Sequence, residues 1–112
     1  MIAKEIRAAI KKRIVTDDEW DYGVKKCWDK EIEILSRNMD DTIYFLENDC
    51  TGEEFAWLSE IFDDVAEKTQ SREFVNCLYK TAQTYPQETK EYHIDQIIRY
   101  AEGTLLSAAH KS

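Results

Sequence analysis

The feature that most constrains the fold of this chain is its shortage of turn-forming residues, with three Gly and one Pro among 112 residues. The hairpins and bulges of a β-sheet consume both residue types, whereas helices joined by short polar loops need few of them. The chain is long enough for one core to bury roughly two-thirds of the unfolded surface. We therefore predict an all-α protein with a single domain over residues 1–112. Its architecture should be a compact bundle of five to six antiparallel or orthogonally packed helices.

Apolar residues recur at spacings of three and four along most of the chain, as the buried face of a helix requires. Possible N-caps stand at Thr16, Thr51 and Ser71, and the two threonines are each followed three residues later by a glutamate, the pattern of a capping box. The Tyr85-Pro86 pair should end a helix, because proline disfavours helical geometry in the residue before it. The predicted helices span residues 2–14, 16–37, 40–46, 52–68, 71–85 and 91–108.

The first helix is unusually basic and the second contains a misplaced acid. Attraction between the basic helix and the acidic middle of the chain would help to hold the fold together. A membrane-surface anchor or a transit peptide is the alternative, but the helix is short and lacks aromatic residues, Ser and Thr.

On the second helix, Glu31 falls within an apolar face that should also include Trp20. A bend near Gly23 or a salt bridge is the ordinary explanation for Glu31, and a buried carboxylate with a function is the other. The basic residues of the first helix are Lys4, Arg7, Lys11, Lys12 and Arg13.

Residues 38–67 contain ten carboxylates and no Lys or Arg, yet apolar residues are interleaved throughout, so this stretch must be folded rather than a disordered acidic tail. Projected on a helical wheel, residues 52–68 divide into an apolar side and an acidic side. Trp57 lies at the border, where it is either an interface anchor or a cover for the edge of the core. The apolar side contains Phe55, Leu58, Ile61, Phe62, Val65 and Ala66; the acidic side contains Glu53, Glu60, Asp63, Asp64 and Glu67.

The net charge of −8 argues against nucleic acid as a direct partner, because phosphates would be repelled, and favours a basic protein. Apolar runs are too short for a membrane span, and no signal peptide is recognisable, so we expect a cytoplasmic protein without a membrane partner. Three cysteines without CxxC spacing are expected to be small buried hydrophobes. The alternative concerns Cys50, which precedes a helix start and could be a slightly activated thiol.

No catalytic motif is present, so we predict a protein that is not an enzyme and has no catalytic residue. Glu60, Asp64 and Glu67 share a helix face that could hold a hard cation. A di-iron bundle, however, needs Glu-x-x-His pairs, and neither His93 nor His110 follows a glutamate by three residues. We therefore expect no metal site and no cofactor.

The run Phe55-Ala56-Trp57-Leu58-Ser59-Glu60-Ile61-Phe62, continued by residues 67–74 and by Tyr85-Pro86, resembles a known family. It is similar to the small all-helical immunity proteins that bacteria encode beside contact-dependent growth inhibition toxins and related polymorphic toxins. The resemblance covers residues 32–98. It implies a protein that binds and neutralises a cognate toxin C-terminal domain, commonly a nuclease.

The hypothesis from sequence is an immunity protein whose acidic helix faces a basic toxin. A second candidate surface lies around Trp28 and Glu31. The alternative function, from another class, is a non-enzymatic regulatory adaptor or nucleic-acid mimic that sequesters a basic host protein. The sequence leaves the homo-oligomeric state open. The predicted partner-binding residues are Trp57, Glu60, Asp63, Asp64 and Glu67.

Overall fold

A computed structural model describes residues 2–106, and every regular element in that range is helical, which confirms the all-α class. The number of helices is slightly above the predicted five to six. Residues 107 and 108, the end of the predicted last helix, lie outside the described range. The helices are α1 (Ala3–Val15), α2 (Asp21–Arg37), α3 (Met39–Tyr44), α4 (Gly52–Leu58), α5 (Phe62–Thr69), α6 (Arg72–Thr84), α7 (Pro86–Glu91) and α8 (Ile94–Gly103).

One hydrophobic core extends from Ile2 before α1 to Leu105 after α8. Its centre is aromatic: the ring centroids of Phe55 and Phe62 are 5.2 Å apart, and those of Phe62 and Phe74 are 6.2 Å apart. Such tilted and edge-on pairs stabilise a core beyond the area that they bury. α1 packs mainly on α2, while α8 packs on α5 and α6. The acidic stretch therefore provides much of the core, as its apolar positions predict.

The predicted start of the second helix at Thr16 is wrong. Thr16 instead ends α1: its hydroxyl donates to the carbonyl oxygen of Lys12 at 2.6 Å, and its backbone is extended. The Asp17 side chain then accepts from the backbone N–H of Glu19 in a turn, so α2 begins five residues later than predicted. Trp20 precedes the helix and is 57 % exposed, so it does not belong to the buried face.

The capping box at Thr51 is confirmed. The threonine hydroxyl accepts from the Glu54 N–H at 3.1 Å, and the Glu54 carboxylate accepts from the Thr51 N–H at 2.9 Å. Ser71 likewise caps α6 by accepting from the N–H of Phe74 at 3.0 Å. These local patterns were readable because both partners lie within one helical turn.

The single helix predicted over residues 52–68 is interrupted by a 3₁₀ turn, Ser59–Ile61, between α4 and α5. Ser59 is buried, and its hydroxyl donates to the carbonyl oxygen of Ala56 at 2.6 Å, a back-bond that competes with regular helix geometry. All six predicted apolar side chains remain buried. The directions of the acidic side chains change more, because a 3₁₀ turn rotates each successive residue by a larger angle about the helix axis than an α-helix does.

The last predicted helix, residues 91–108, begins later than expected. Pro86 opens a separate short helix, α7, since a proline at the first helical position loses no hydrogen bond. His93, which has a left-handed backbone with a φ of 55°, separates α7 from α8. This arrangement places the glutamates of α7 beside α4.

Candidate functional site

Arg13 connects the basic first helix to the acidic middle of the chain. Its side chain is 6 % exposed; its Nε donates to Oε1 of Glu60 at 3.0 Å and its Nη2 to Oε2 at 2.8 Å. A third hydrogen bond joins Nη1 to Asp18 Oδ1 at 2.8 Å. Burial opposes the charge on Arg13, but the two carboxylates outweigh it and raise the pKa of the guanidinium above its ordinary value. The predicted attraction between α1 and the acidic stretch is thus a specific, largely buried ion pair.

Glu60 is held inside this contact. Besides the two bonds from Arg13, its Oε1 accepts from the indole Nε1–H of Trp28 at 3.1 Å. The 3₁₀ turn is the element that positions Glu60 toward α1 and α2. Its carboxylate is therefore not the unpaired, solvent-facing charge that the helical wheel predicts. Its position indicates that it holds α1, α2 and the 3₁₀ turn together.

A second ion pair joins α1 to an acid of α4. The Nε of Arg7 donates to Oε2 of Glu54 at 2.8 Å, while the same glutamate completes the Thr51 capping box. Arg7 also donates to the backbone oxygen of Asp49 at 2.7 Å. Glu47 pairs with Lys80 at 3.2 Å, so three carboxylates of the acidic stretch form ion pairs within the chain.

Trp57 is half-buried and packs against the edge of the core, as its border position predicts. The guanidinium carbon of Arg13 lies 5.3 Å from the centroid of its ring, within cation–π range. The remaining surface of the indole lines an open cleft, so Trp57 both covers the core and is accessible to a partner.

Glu31 is the acid that lies on the apolar face of α2. The helix is continuous from Asp21 to Arg37, and within residues 2–106 no salt bridge reaches Glu31, which excludes that explanation. Its side chain is 0 % exposed, and neither carboxylate oxygen has a hydrogen-bond partner among the described residues. Burial, together with the negative charge of Glu60, raises the pKa of Glu31 to about 8, and Arg13 only partly opposes this. Glu31 is therefore a buried carboxyl group that is protonated at neutral pH.

The three predicted acids of α5, namely Asp63, Asp64 and Glu67, occupy one solvent-facing side of the helix. None of them forms an ion pair within the described part of the chain. Partial burial and then the charges of Asp63, Glu67 and Asp29 raise the pKa of Asp64 above its ordinary value. The charge of Lys25 opposes this shift only in part. This side of α5, which we call the α5 acidic face, thus concentrates negative charge that no ion pair in the described chain neutralises.

The α5 acidic face borders a groove between α2 and α5 with a volume of about 580 Å³. The apolar part of its lining is formed by Val24, Trp28 and Ile32, and Asp64 lies at its edge. This is the region that the sequence offers as a second candidate surface. The two candidate surfaces are therefore neighbours, although Glu31 itself does not line the groove.

A larger cleft of about 700 Å³ lies between α4 and α7 and reaches the end of α1. We call it the α4–α7 cleft. Glu88 approaches the start of α4 so closely that a Cβ at Gly52 would lie 2.8 Å from its carboxyl carbon, which only glycine accommodates without a shift. The cleft is lined by Ile14, Glu53, Ala56, Trp57, Ser59, Glu60, Glu88, Glu91 and Tyr92.

The sequence predicts only Trp57 and Glu60 as site residues in this cleft, and it places Glu53 on the acidic side of the helix without assigning it to the site. The contributions of Glu88, Glu91 and Tyr92 depend on α7, which the predicted helix boundaries omit. The available signal is Pro86 followed by an acid two residues later, the usual composition of a helix start.

All three cysteines are buried, as expected of small hydrophobes. The alternative of an activated Cys50 thiol is wrong, because burial and the nearby charge of Glu54 raise the pKa of Cys50 to about 12. A thiol with that pKa is almost entirely protonated at neutral pH and is a poor nucleophile.

Among the described residues, no three His, Cys, Asp or Glu side chains are placed to hold a metal ion. Within the same range, no helix has the length and apolar character needed to cross a bilayer. Comparison with known proteins finds no family model, no curated protein and no solved structure that matches this chain.

Proposed function

We propose that this chain is an immunity protein that acts in the cytoplasm by binding and neutralising a basic toxin domain, such as a nuclease. The observation that most supports the proposal is the α5 acidic face. Asp63, Asp64 and Glu67 lie together without an ion pair in residues 2–106, whereas Glu54 and Glu60 are neutralised by the arginines of α1. Uncompensated charge of one sign is the complement of a nucleic-acid-binding cleft.

Electrostatic complementarity of this kind increases the association rate more than it increases final affinity. Trp57 adds accessible aromatic surface of the type found at binding hot spots, on the neighbouring α4–α7 cleft, and it packs against the core. Because α5 is packed on α8 and α2, the acids are presented on a rigid element, which limits the entropy lost on binding.

The test is co-expression with the product of the neighbouring toxin-like gene, followed by pull-down, growth measurement and affinity titration at low salt. Replacing the α5 acids together, as Asp63→Asn, Asp64→Asn and Glu67→Gln, should weaken binding about 10- to 100-fold if each charge contributes roughly 0.5–1 kcal/mol. Raising the salt concentration should reduce that difference.

The matched control is a triple variant with the same change in net charge at exposed acids of other elements, Glu19→Gln, Asp40→Asn and Glu73→Gln. It should bind almost as tightly as the unmodified chain. The α5 variant removes like-charge repulsion around Asp64 but also removes two acids from the first turn of α5, so its unfolding free energy is measured beside its affinity. Equal affinities of the two triple variants at low salt would overturn the placement of the toxin-facing surface.

The same acidic face also suits a regulatory adaptor or nucleic-acid mimic that sequesters a basic host protein. The two functions differ in genetic context and in phenotype. An immunity protein is needed for growth only when its toxin is present, whereas loss of an adaptor alters growth or regulation without any toxin gene nearby.

A further inference from the structure

The α4–α7 cleft concentrates acidic and aromatic groups that the proposed toxin-facing surface leaves unused, apart from Trp57. Glu53, Glu88 and Glu91 line it, and none of them forms an ion pair within residues 2–106. Glu91, through its charge and a hydrogen bond, and then the charges of Glu53 and Glu88 raise the pKa of the Tyr92 hydroxyl. All four side chains line the same cleft.

No Lys or Arg belongs to the described lining of the cleft, although cations compensate acids elsewhere in the molecule. Each of the five arginines of the chain pairs with a carboxylate. Arg13 holds Glu60, which lines the cleft, and the other four arginines pair with carboxylates outside the cleft. The cleft is thus concave, negative and lacking an internal cation. A positively charged group from outside the chain is its electrostatic complement.

The walls of the cleft narrow the choice of cation. Trp57 and Tyr92 present aromatic surface, and Tyr92 and Ile14 are 51 % and 43 % exposed. A planar guanidinium stacks on aromatic rings while its N–H groups donate to several carboxylates in one plane. An ammonium group is more strongly hydrated and benefits less from aromatic walls. Arg13 already lies over the Trp57 ring, so a partner guanidinium must stack on the part of the indole that lines the cleft.

We propose that the α4–α7 cleft binds an arginine side chain presented by a partner protein. The guanidinium lies between Trp57 and Tyr92 and donates hydrogen bonds to the glutamates of α4 and α7. The volume of about 700 Å³ is within the range of ligand pockets and exceeds what one side chain fills, so neighbouring partner residues also enter. The inference rests on the proposed function only for the identity of the partner, which is then the basic toxin.

The test uses the chain alone and two short probes, blocked tetra-arginine and blocked tetra-lysine peptides. Titration is followed by NMR at the indole N–H of Trp57 and the backbone N–H groups of Gly52 and Tyr92. Tetra-arginine should produce saturable shifts at these positions and bind several-fold more tightly than tetra-lysine. Equal affinity for the two peptides would overturn the choice of arginine, and the absence of shifts at Trp57 would overturn the cleft.

Two variants then locate the site. Glu88→Gln with Glu91→Gln should weaken tetra-arginine binding about five- to thirtyfold, since two carboxylates next to the cation are removed. A control with the same change in net charge, Glu19→Gln with Glu73→Gln, should bind as the unmodified chain does. If the two double variants weaken binding equally, the peptide responds to net charge and the proposed site is wrong.

The peptide titration also separates this inference from the proposed function. Neutralising the α5 acidic face should leave the Trp57 shifts in place, because those acids do not line the cleft. If peptide binding fails while toxin neutralisation persists, only the arginine site is refuted. If the peptide binds the cleft and no toxin is captured, the cleft survives and the immunity function fails.

Discussion

Glu31→Gln tests the account of the buried carboxyl group on α2. In the folded chain the pKa of Glu31 is about 8, against 4.5 for the free side chain, chiefly because burial disfavours the charged form. Between those two pH values the native state holds a proton that the unfolded state has lost. The free energy of unfolding must therefore fall as pH rises through this window and level off above pH 8.

The expected magnitude follows from the two pKa values. With about 1.4 kcal/mol per pH unit, the contribution of Glu31 falls by about 2.5 kcal/mol between pH 5 and pH 7, and by little more than another 1.4 kcal/mol up to pH 9. Glutamine cannot ionise, so Glu31→Gln should lose this dependence entirely. The amide will still lack hydrogen-bond partners, but that cost does not vary with pH.

The assay is urea unfolding of both proteins from pH 5 to pH 9, with the difference in unfolding free energy plotted against pH. The difference should move in favour of Glu31→Gln by about 2.5 kcal/mol between pH 5 and pH 7. Glu73→Gln, at an exposed position of α6, is the control and should give a curve parallel to that of the unmodified chain. Parallel curves for Glu31→Gln as well would refute a buried, protonated carboxyl group.

Three other experiments test the contacts around the site. Arg13→Met should lower the unfolding free energy by about 2–4 kcal/mol because it leaves carboxylates unpaired, whereas Arg7→Met, at a more exposed pair, should cost under about 1 kcal/mol in the same urea titration. Thr51→Ala should lower the unfolding free energy by about 1 kcal/mol because it removes a capping box, and Thr16→Ala should lower it clearly less. Thermal unfolding compares the two variants, and a larger loss for Thr16→Ala would mean that Thr16 caps α2. Cys50 should react with a disulfide reagent only as fast as the chain opens, so that a fast reaction at pH 8 in native buffer would contradict its burial and raised pKa.

The sequence was informative where structure depends on neighbours in the chain and uninformative where it depends on packing. The apolar side of residues 52–68 is buried as predicted, because helical periodicity determines which side chains face a core. Thr16 and Thr51 share one local pattern, yet only Thr51 forms a capping box, since the Thr16 hydroxyl bonds backward to α1. A capping pattern alone does not distinguish the end of one helix from the start of the next.

The candidate site was predictable only in part for the same reason. The α5 acidic face lies on one short helix, so a helical wheel suffices to find it. The pairing of Glu60 with Arg13 joins residues 47 positions apart, and Glu60 lies in the 3₁₀ turn, where the buried Ser59 hydroxyl donates to the carbonyl oxygen of Ala56. The α4–α7 cleft likewise depends on contacts of α7 with α4 and with α8. No local sequence pattern encodes these contacts.

The distribution of charge over this fold argues for function rather than for stability. A net charge of −8 on a small domain is self-repulsive, and the chain already uses its arginines to neutralise acids at helix contacts. Among the acids that form no ion pair in residues 2–106, one group lies along α5 and another lines the α4–α7 cleft, while others, such as Glu19, Asp40 and Glu73, lie elsewhere on the surface. The Arg13–Glu60 pair stands between the first two groups, with Arg13 lining the α2–α5 groove and Glu60 lining the α4–α7 cleft. The two proposals therefore place one basic partner over both surfaces, with the Arg13–Glu60 pair between them. A cationic partner would relieve the repulsion within each acidic group, whereas in the isolated chain that repulsion lowers stability.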